Sequence, residues 1–328
     1  MKKIKHKFKV LISMLQYEKT LWRDFGLYIA LIHFFMKIVF QGSKTAIGRR
    51  LYRYMYSWIE KKLGIKYSDF INTYHELSNE NIVNNKVSED SPIWVFWWQG
   101  IEQAPSVVKI CIKSIKKHSG KHKVIIVTKD NFKEYAHIPD YIIDKVNDGR
   151  ISLNHLSDVM RLELLYKHGG IWIDATLWMT GDIPSEAYNL SLFTIRHGQY
   201  SDYHVCRGKW STFFLCSGKH NMLMKFCRDF LYRYLKTENS IICYLIIDVS
   251  ICLAYDNFVW AKNMIDAVPQ NNKAVFEMQE HMNCVYDLNE LNQWNKNTFA
   301  HKVSYKIPFA DSKNGAATYW AYLNKQEM

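Results

Sequence analysis

In the stretch "SDVMRLELLYKHGGIWIDATLW" (157–178), Asp158 and Arg161 stand three apart, and a second carboxylate, Asp174, breaks into an apolar run further on. Residues three apart share a face of a helix, so the first two lie together near the positive N-terminal end of theirs. A carboxylate inside an apolar strand is costly unless a cation or hydrogen-bond donors meet it. Two readings of Asp174 stay open: it pairs with Arg161 for structure alone, or its strand ends there and it faces a divalent metal and a nucleotide diphosphate. Another lone acid, Asp248, lies in "IICYLIIDVSICLAYDN" (241–257). It reads as a boundary or a satisfied core group.

These side chains need elements to carry them. Leu156, Val159, Leu162, Leu165 and Tyr166 form the apolar stripe of a helix expected to begin near Ser157 as N-cap and to stop at Gly169 and Gly170. "IWIDATLWMT" follows as a strand with Asp174 at its middle or end. Upstream, Ile93–Trp98 is an apolar run bounded by Pro92 and Gly100, as in a strand buried on both faces. A helix over "APSVVKICIKSIKKH" comes next, with Pro105 in its first turn and Val108, Cys111, Ile112 and Ile115 on one side. "HKVIIVT" (122–128) is a second strand. Strand–helix–strand order predicts a parallel pair with a right-handed crossover. Ligands then bind beyond the carboxyl ends of the strands, which puts Gln99, Thr128 and Lys129 on the binding rim. Arg196 and His197, after a strand over "LSLFTI", are weaker acceptor-side candidates; His155 and His168 read as structural. "ADSKNGAATYW" (310–320) reads as a mobile loop hinged at Gly315, or as a plain tail.

The chain has 328 residues and a net charge of +12, located almost wholly in one part. Residues 1–66 hold 15 Lys and Arg against 3 Asp and Glu, and the rest of the chain is balanced at 28 of each. A nucleic-acid reader would spread its positive charge over the reading domain, so nucleic acid is not the expected partner. The chain divides into a basic, aromatic helical arm (1–66), a polar linker (67–90) and one α/β domain (91–328). Within the arm, "FGLYIALIHFFMKIVF" (25–40) is shorter than the ~20 residues that cross a bilayer. Flanked by "KKIKHKFK" and "GRRLYR", it fits a helix in the interface of an anionic membrane, or one that packs on the domain. Seven cysteines without a CxxC pattern suggest a reducing compartment and no zinc site.

The pattern S-D-x-x-R … G-G-x-W-x-D-x-T, with "FWWQG" and "AP" upstream, resembles the bacterial capsular polysaccharide synthesis family of glycosyltransferases, related to the family 32 sugar transferases. The similarity covers roughly Ser91 to Phe309. It implies a GT-A-like, Rossmann-type mixed sheet flanked by helices and a nucleotide-sugar donor, UDP- or GDP-linked. By position Asp174 matches the first Asp of a DxD motif, while Thr176 replaces the second, a far weaker ligand for Mn²⁺ or Mg²⁺. Asp158 and Arg161 match the pair that holds donor sugar and phosphates, and Trp97 a ring stacked on the base, with Gln99 beside it. "FAHKVSYK" matches a segment supplying a late metal ligand, His301, with Lys302 on a phosphate oxygen; Asp248 matches a residue of the acceptor pocket. The implied protein transfers a hexose, with retention, to a lipid-linked O-antigen or capsule oligosaccharide. Its place would be cytoplasmic, peripheral on the inner face of the plasma membrane. A non-catalytic module that binds anionic surfaces or nucleic acid through the arm is the other reading; it gives Asp158, Arg161 and Asp174 no task.

Overall fold

The computed structural model describes residues 2–40, 42–76 and 85–326; the side chains of 2–13, 38 and 326, including the lysine-rich start, and part of the linker (77–84) lie outside the described residues. A five-stranded sheet runs in the order β2 (Val124–Val127), β1 (Ile93–Phe96), β3 (Gly170–Ile173), β6 (Phe214–Ser217), β5 (Leu192–Thr194). β1 is parallel to β2 and β3, with Ile93 opposite Val124 on one side and Ile171 on the other. β6 is antiparallel to both β3 and β5. The expected mixed α/β sheet flanked by helices is thus what the chain forms.

Both faces of the central strands are covered, which explains their unbroken apolar runs. Trp94 and Phe96 of β1, with Trp172 of β3, join one hydrophobic cluster; Ile93, Val95, Ile171 and Ile173 join the other. The helix Ser106–Lys117 buries Val108, Cys111, Ile112 and Ile115 in the second cluster, as its stripe predicts. β3 begins where only glycine fits: a Cβ on Gly170 would lie 2.3 Å from the Pro92 carbonyl oxygen, and the residue's φ is +104°.

The chain reverses direction across the sheet at β1, since β2 lies on one side of it and β3 on the other. Such a switch point opens a crevice at the carboxyl ends of the two strands. Trp97–Gln99 and Asp174 occupy those ends. β4 (Leu177–Met179) leaves the main sheet and pairs antiparallel with β7 (Ala300–Lys302), placing Leu177 opposite Lys302. β8 (Ser312–Lys313) and β9 (Ala316–Ala317) form a hairpin turned by Asn314 and Gly315, both left-handed at φ 53° and 77°. The segment expected as a mobile loop or tail is therefore a tight Asn-Gly hairpin.

The arm folds as Lys2–Phe25, a break at Gly26, Leu27–Phe34 with a wider turn to Val39, and Ala46–Lys66. Leu21, Phe25, Ile29, Met55 and Ile59 lie in the same cluster as Trp94, Leu156, Ile247 and Leu253 of the body. On the other side Trp22, Leu27, Tyr28, Leu31, Phe35 and Val39 are exposed, each at 45–58%. The arm carries two apolar faces, one in the core and one in solvent. Among the described residues no helix is long and apolar enough to cross a membrane.

Candidate active site

Asp174 follows the last residue of β3, and its backbone N–H donates to the Phe213 carbonyl across the sheet (2.9 Å). Strand alternation puts its side chain on the same side as Trp172, two residues earlier. The Trp172 indole N–H donates to Asp174 Oδ1 at 2.9 Å, Arg161 Nη2 to the same oxygen at 3.1 Å, and Lys302 Nζ to Oδ2 at 2.7 Å. Asp174 pairs with Arg161, as the structural reading has it, and it also stands at the strand end, lining a cavity.

The helix carrying Asp158 and Arg161 runs Leu153–His168, one turn longer than expected. Ser152, not Ser157, is its N-cap, completed by His155 in a capping box, so Asp158 sits in the second turn rather than at the positive end. Arg161 Nη1 donates to Asp158 Oδ1 at 2.8 Å, and the guanidinium lies 4.8 Å from the Trp172 ring centroid. The result is a continuous ion-paired row, Asp158–Arg161–Asp174–Lys302. Burial pushes the Asp158 carboxyl up to about 7, against the pull of Arg161. Burial works the same way on Asp174, but Lys302 and Arg161 outweigh it and hold that group down at about 2. One acid of the row is close to neutral pH in its titration and the other is a permanent anion.

Two cavities flank this row. The smaller, about 230 Å³, is lined by Trp97, Gln99, Ser157, Asp174, Thr176 and Tyr305. The Trp97 and Tyr305 rings meet edge to face at 5.4 Å, and Trp97 Nε1 is buried without a partner, as is Arg161 Nε. An unmet buried N–H costs about 1–3 kcal/mol, which a ligand oxygen would recover. The larger cavity, about 840 Å³, holds Asp248, Trp210, Phe213, Tyr200 and Phe276 in its wall. Asp248 accepts from the Trp210 indole at 2.9 Å, and burial raises its carboxyl to about 6. Asp174 lines one cavity and Phe213 the other, and the Asp174 N–H to Phe213 carbonyl hydrogen bond brings the two linings together.

Among the sequence candidates, Trp97, Gln99 and Asp174 line the first cavity, Arg161 and Lys302 are bonded to Asp174 and Asp158 to Arg161, and Asp248 stands at the second. His301 is not brought to Asp174. Neighbours in a strand point to opposite faces: Lys302 takes the Asp174 side, while His301 is fully buried, bonded through Nε2 to Asn295 (2.7 Å) and packed against Trp178. The donor set does not fit a resident divalent metal. The Asp174 oxygens already accept from two cations and an indole, a metal would sit against both positive side chains, and no group of three or more His, Cys, Asp or Glu among the described residues could hold one. Arg196 is tied to the Val268 carbonyl (2.7 Å), while His197 lines the larger cavity. Sequence reasoning missed Trp172, Tyr305, Phe213 and Trp210. Only Trp172 left a signal, its spacing of two from Asp174.

The pH dependence has a defined sign. An aspartate whose folded pKa is raised contributes stability that is whole below the unfolded value near 4 and lost as pH rises through the folded one. For Asp248 that window runs from about 4 to about 6; Asp174, held low, loses its contribution only as pH falls towards about 2. Asp248→Asn keeps an oxygen for Trp210 and removes the burial cost of the charge. Its melting temperature is expected to rise relative to wild type between about pH 4 and pH 7. A difference that stays constant across that range in thermal melts would mean Asp248 does not titrate there.

Comparison with known proteins adds three findings. A sequence model of the family described as "Capsular polysaccharide synthesis protein" matches residues 41–323. The chain is similar to O-glycosyltransferase braB of Annulohypoxylon truncatum, 24% identical over 128 residues, covering 33% of this chain and 30% of that protein, so it spans less than a third of that relative. It is also similar to the solved PaToxG glycosyltransferase, with 15% identity, a TM-score of 0.37, and 65% of this chain and 90% of that one covered.

Proposed function

The chain belongs to the capsular polysaccharide synthesis protein family, and from that premise we propose that it is a glycosyltransferase moving a hexose from a nucleotide-diphosphate donor to a lipid-linked oligosaccharide. The observation that carries this reading is the pair of cations, Lys302 and Arg161, held by Asp174, a carboxylate that itself lines an aromatic-walled cavity. The nucleotide lies along Trp97 and Tyr305, with its diphosphate against Lys302 and Arg161. As the anomeric C–O bond breaks, negative charge grows on the departing diphosphate, and two preoriented cations stabilise it. Asp174 keeps both cations in place and fully charged. The acceptor hydroxyl enters from the larger cavity beside Asp248. With retention, it attacks on the face the diphosphate leaves, a diphosphate oxygen takes its proton, and Asp248 orients the hydroxyl. The exposed apolar face of the arm, set among basic residues, supports a peripheral position on an anionic membrane surface.

The reading is tested by thermal stabilisation. Ligand at about 100 times its Kd adds about 2.7 kcal/mol, a shift of about 4–5 °C for a chain of this size. UDP or GDP is expected to produce that shift equally with EDTA and with Mn²⁺, and Asp174→Ala to abolish it. A shift seen only with Mn²⁺ would show that Asp174 exchanges its cations for a metal. No shift with either nucleotide removes the donor assignment.

A further inference from the structure

The arm does more than dock. Its helix Ala46–Lys66 presents Arg49, Arg50 and Arg53 at a spacing that puts all three on one side, and Lys44 precedes the helix. The start of that helix is closed by the preceding turn: Thr45 caps the Gly48 N–H at 3.0 Å, and a Cβ on Gly48 would lie 1.8 Å from the Gly42 carbonyl oxygen. Lys44 and Arg49 form part of the wall of the 840 Å³ cavity that holds Asp248. Arg49, Arg50 and Arg53 line an adjoining space of about 590 Å³, which shares Arg49, Asp202 and Tyr203 with the first.

These cations have no carboxylate partner among the described residues. Arg49 Nη1 and Arg53 Nη1 reach only the Ser43 and Asp202 carbonyls, each at 3.5 Å, the outer limit of a hydrogen bond. Other basic groups at the arm–body boundary are paired: Arg207 with Glu60 and Asp256, Lys66 with Glu238. Asp202 is the one acid lining the smaller space, against three guanidinium groups. Guanidinium forks match phosphate oxygens two at a time. Arg49 and Arg53 are one turn apart, ~6 Å along the axis at 1.5 Å per residue, a span that suits two linked phosphates. Exposed Ile47 and Tyr54 on the same helix add apolar surface beside the strip.

We propose that Arg49, Arg50 and Arg53, with Lys44, hold the phosphate or diphosphate of the acceptor, with its saccharide extending over the aromatic wall of the larger cavity towards Asp248. The acceptor class is then a saccharide joined through phosphate to an apolar chain. This deepens the transferase reading and rests on it. The strip lines cavities that lead to Asp248 rather than a flat face, and this favours the acceptor's own phosphate over bulk headgroups.

The test uses the full chain, with farnesyl diphosphate as probe, farnesol as its uncharged control, and saturating UDP and GDP present to occupy the other cavity. Wild type is expected to bind the diphosphate and not the alcohol. R49Q/R50Q/R53Q, which changes no core residue, is expected to bind it about 30-fold or more weakly, with unchanged nucleotide stabilisation and with sedimentation on phosphatidylglycerol vesicles reduced by less than about two-fold. Equal diphosphate binding by variant and wild type overturns the proposal. So does a loss confined to the phosphatidylglycerol vesicles, which would make the strip a headgroup contact. Absence of nucleotide stabilisation in wild type overturns the reading of the Asp174 cavity alone, and the strip is then judged by its diphosphate binding.

Discussion

Replacing Lys302 with methionine is expected to lower kcat by about 10²–10³-fold, the usual cost of losing one preoriented donor to a developing anion, while the protein stays folded. Lys302 Nζ is 2.7 Å from Asp174 Oδ2 and 4.9 Å from the Phe213 ring centroid, with the side chain 18% exposed. Methionine keeps the apolar stem and its packing and removes only the charge. Asp174 still has Arg161 and Trp172, so the carboxylate is not orphaned. Because the charge on the diphosphate grows in the transition state, the loss falls mainly on kcat, with a smaller change in KM for the donor. Steady-state kinetics beside a circular-dichroism melt would check it. Turnover within about five-fold of wild type would remove Lys302 from the leaving-group role.

Arg161→Met is the substitution expected to cost most stability, about 3–5 kcal/mol. The Arg161 side chain is 5% exposed and serves two carboxylates at 2.8 and 3.1 Å. Removing it leaves Asp158 without its cation in a buried site, and Asp174 with Lys302 and the Trp172 indole. Asp158, already raised to about 7, then protonates. R161M/D158N takes away the stranded acid as well, so the double variant is expected to recover about half of the loss in urea denaturation. A cost below about 1 kcal/mol for the single variant would mean that water reaches the pair.

These predictions rest on residues whose types and spacing could be read early. The parallel β1–β2 pair was legible because buried parallel strands are continuous apolar runs with sharp Pro and Gly limits, whereas the place of β3 beside β1 was not. Asp174 was legible as a charge in a place where charge is costly, Asp158 and Arg161 as a pair on one helix face, and Lys302 only through the family resemblance. The start of the motif helix was not: Ser152 and Ser157 are equally good caps, and His155 takes the place of the usual Glu or Gln in the box. Nor could the chain reveal which of His301 and Lys302 faces inward, since the pairing of β7 with β4 decides it. Trp210 and Phe213 reach the site from a segment distant in sequence, so local pattern carried no sign of them. The arm's two apolar faces were visible only as one hydrophobic stretch.

The arm's attachment has a consequence for how the molecule is made. Tyr17 bonds to the carbonyl of Ile242, 225 residues away, and Tyr67 to Glu238, 171 away. On a ribosome adding ~5–20 residues per second, the arm would wait ~10–45 s for those partners to emerge. Throughout that interval its inner apolar face is as bare as its outer one. The nascent chain is therefore at its stickiest before any sheet exists, when a nearby bilayer or a chaperone can hold it until the last helices arrive.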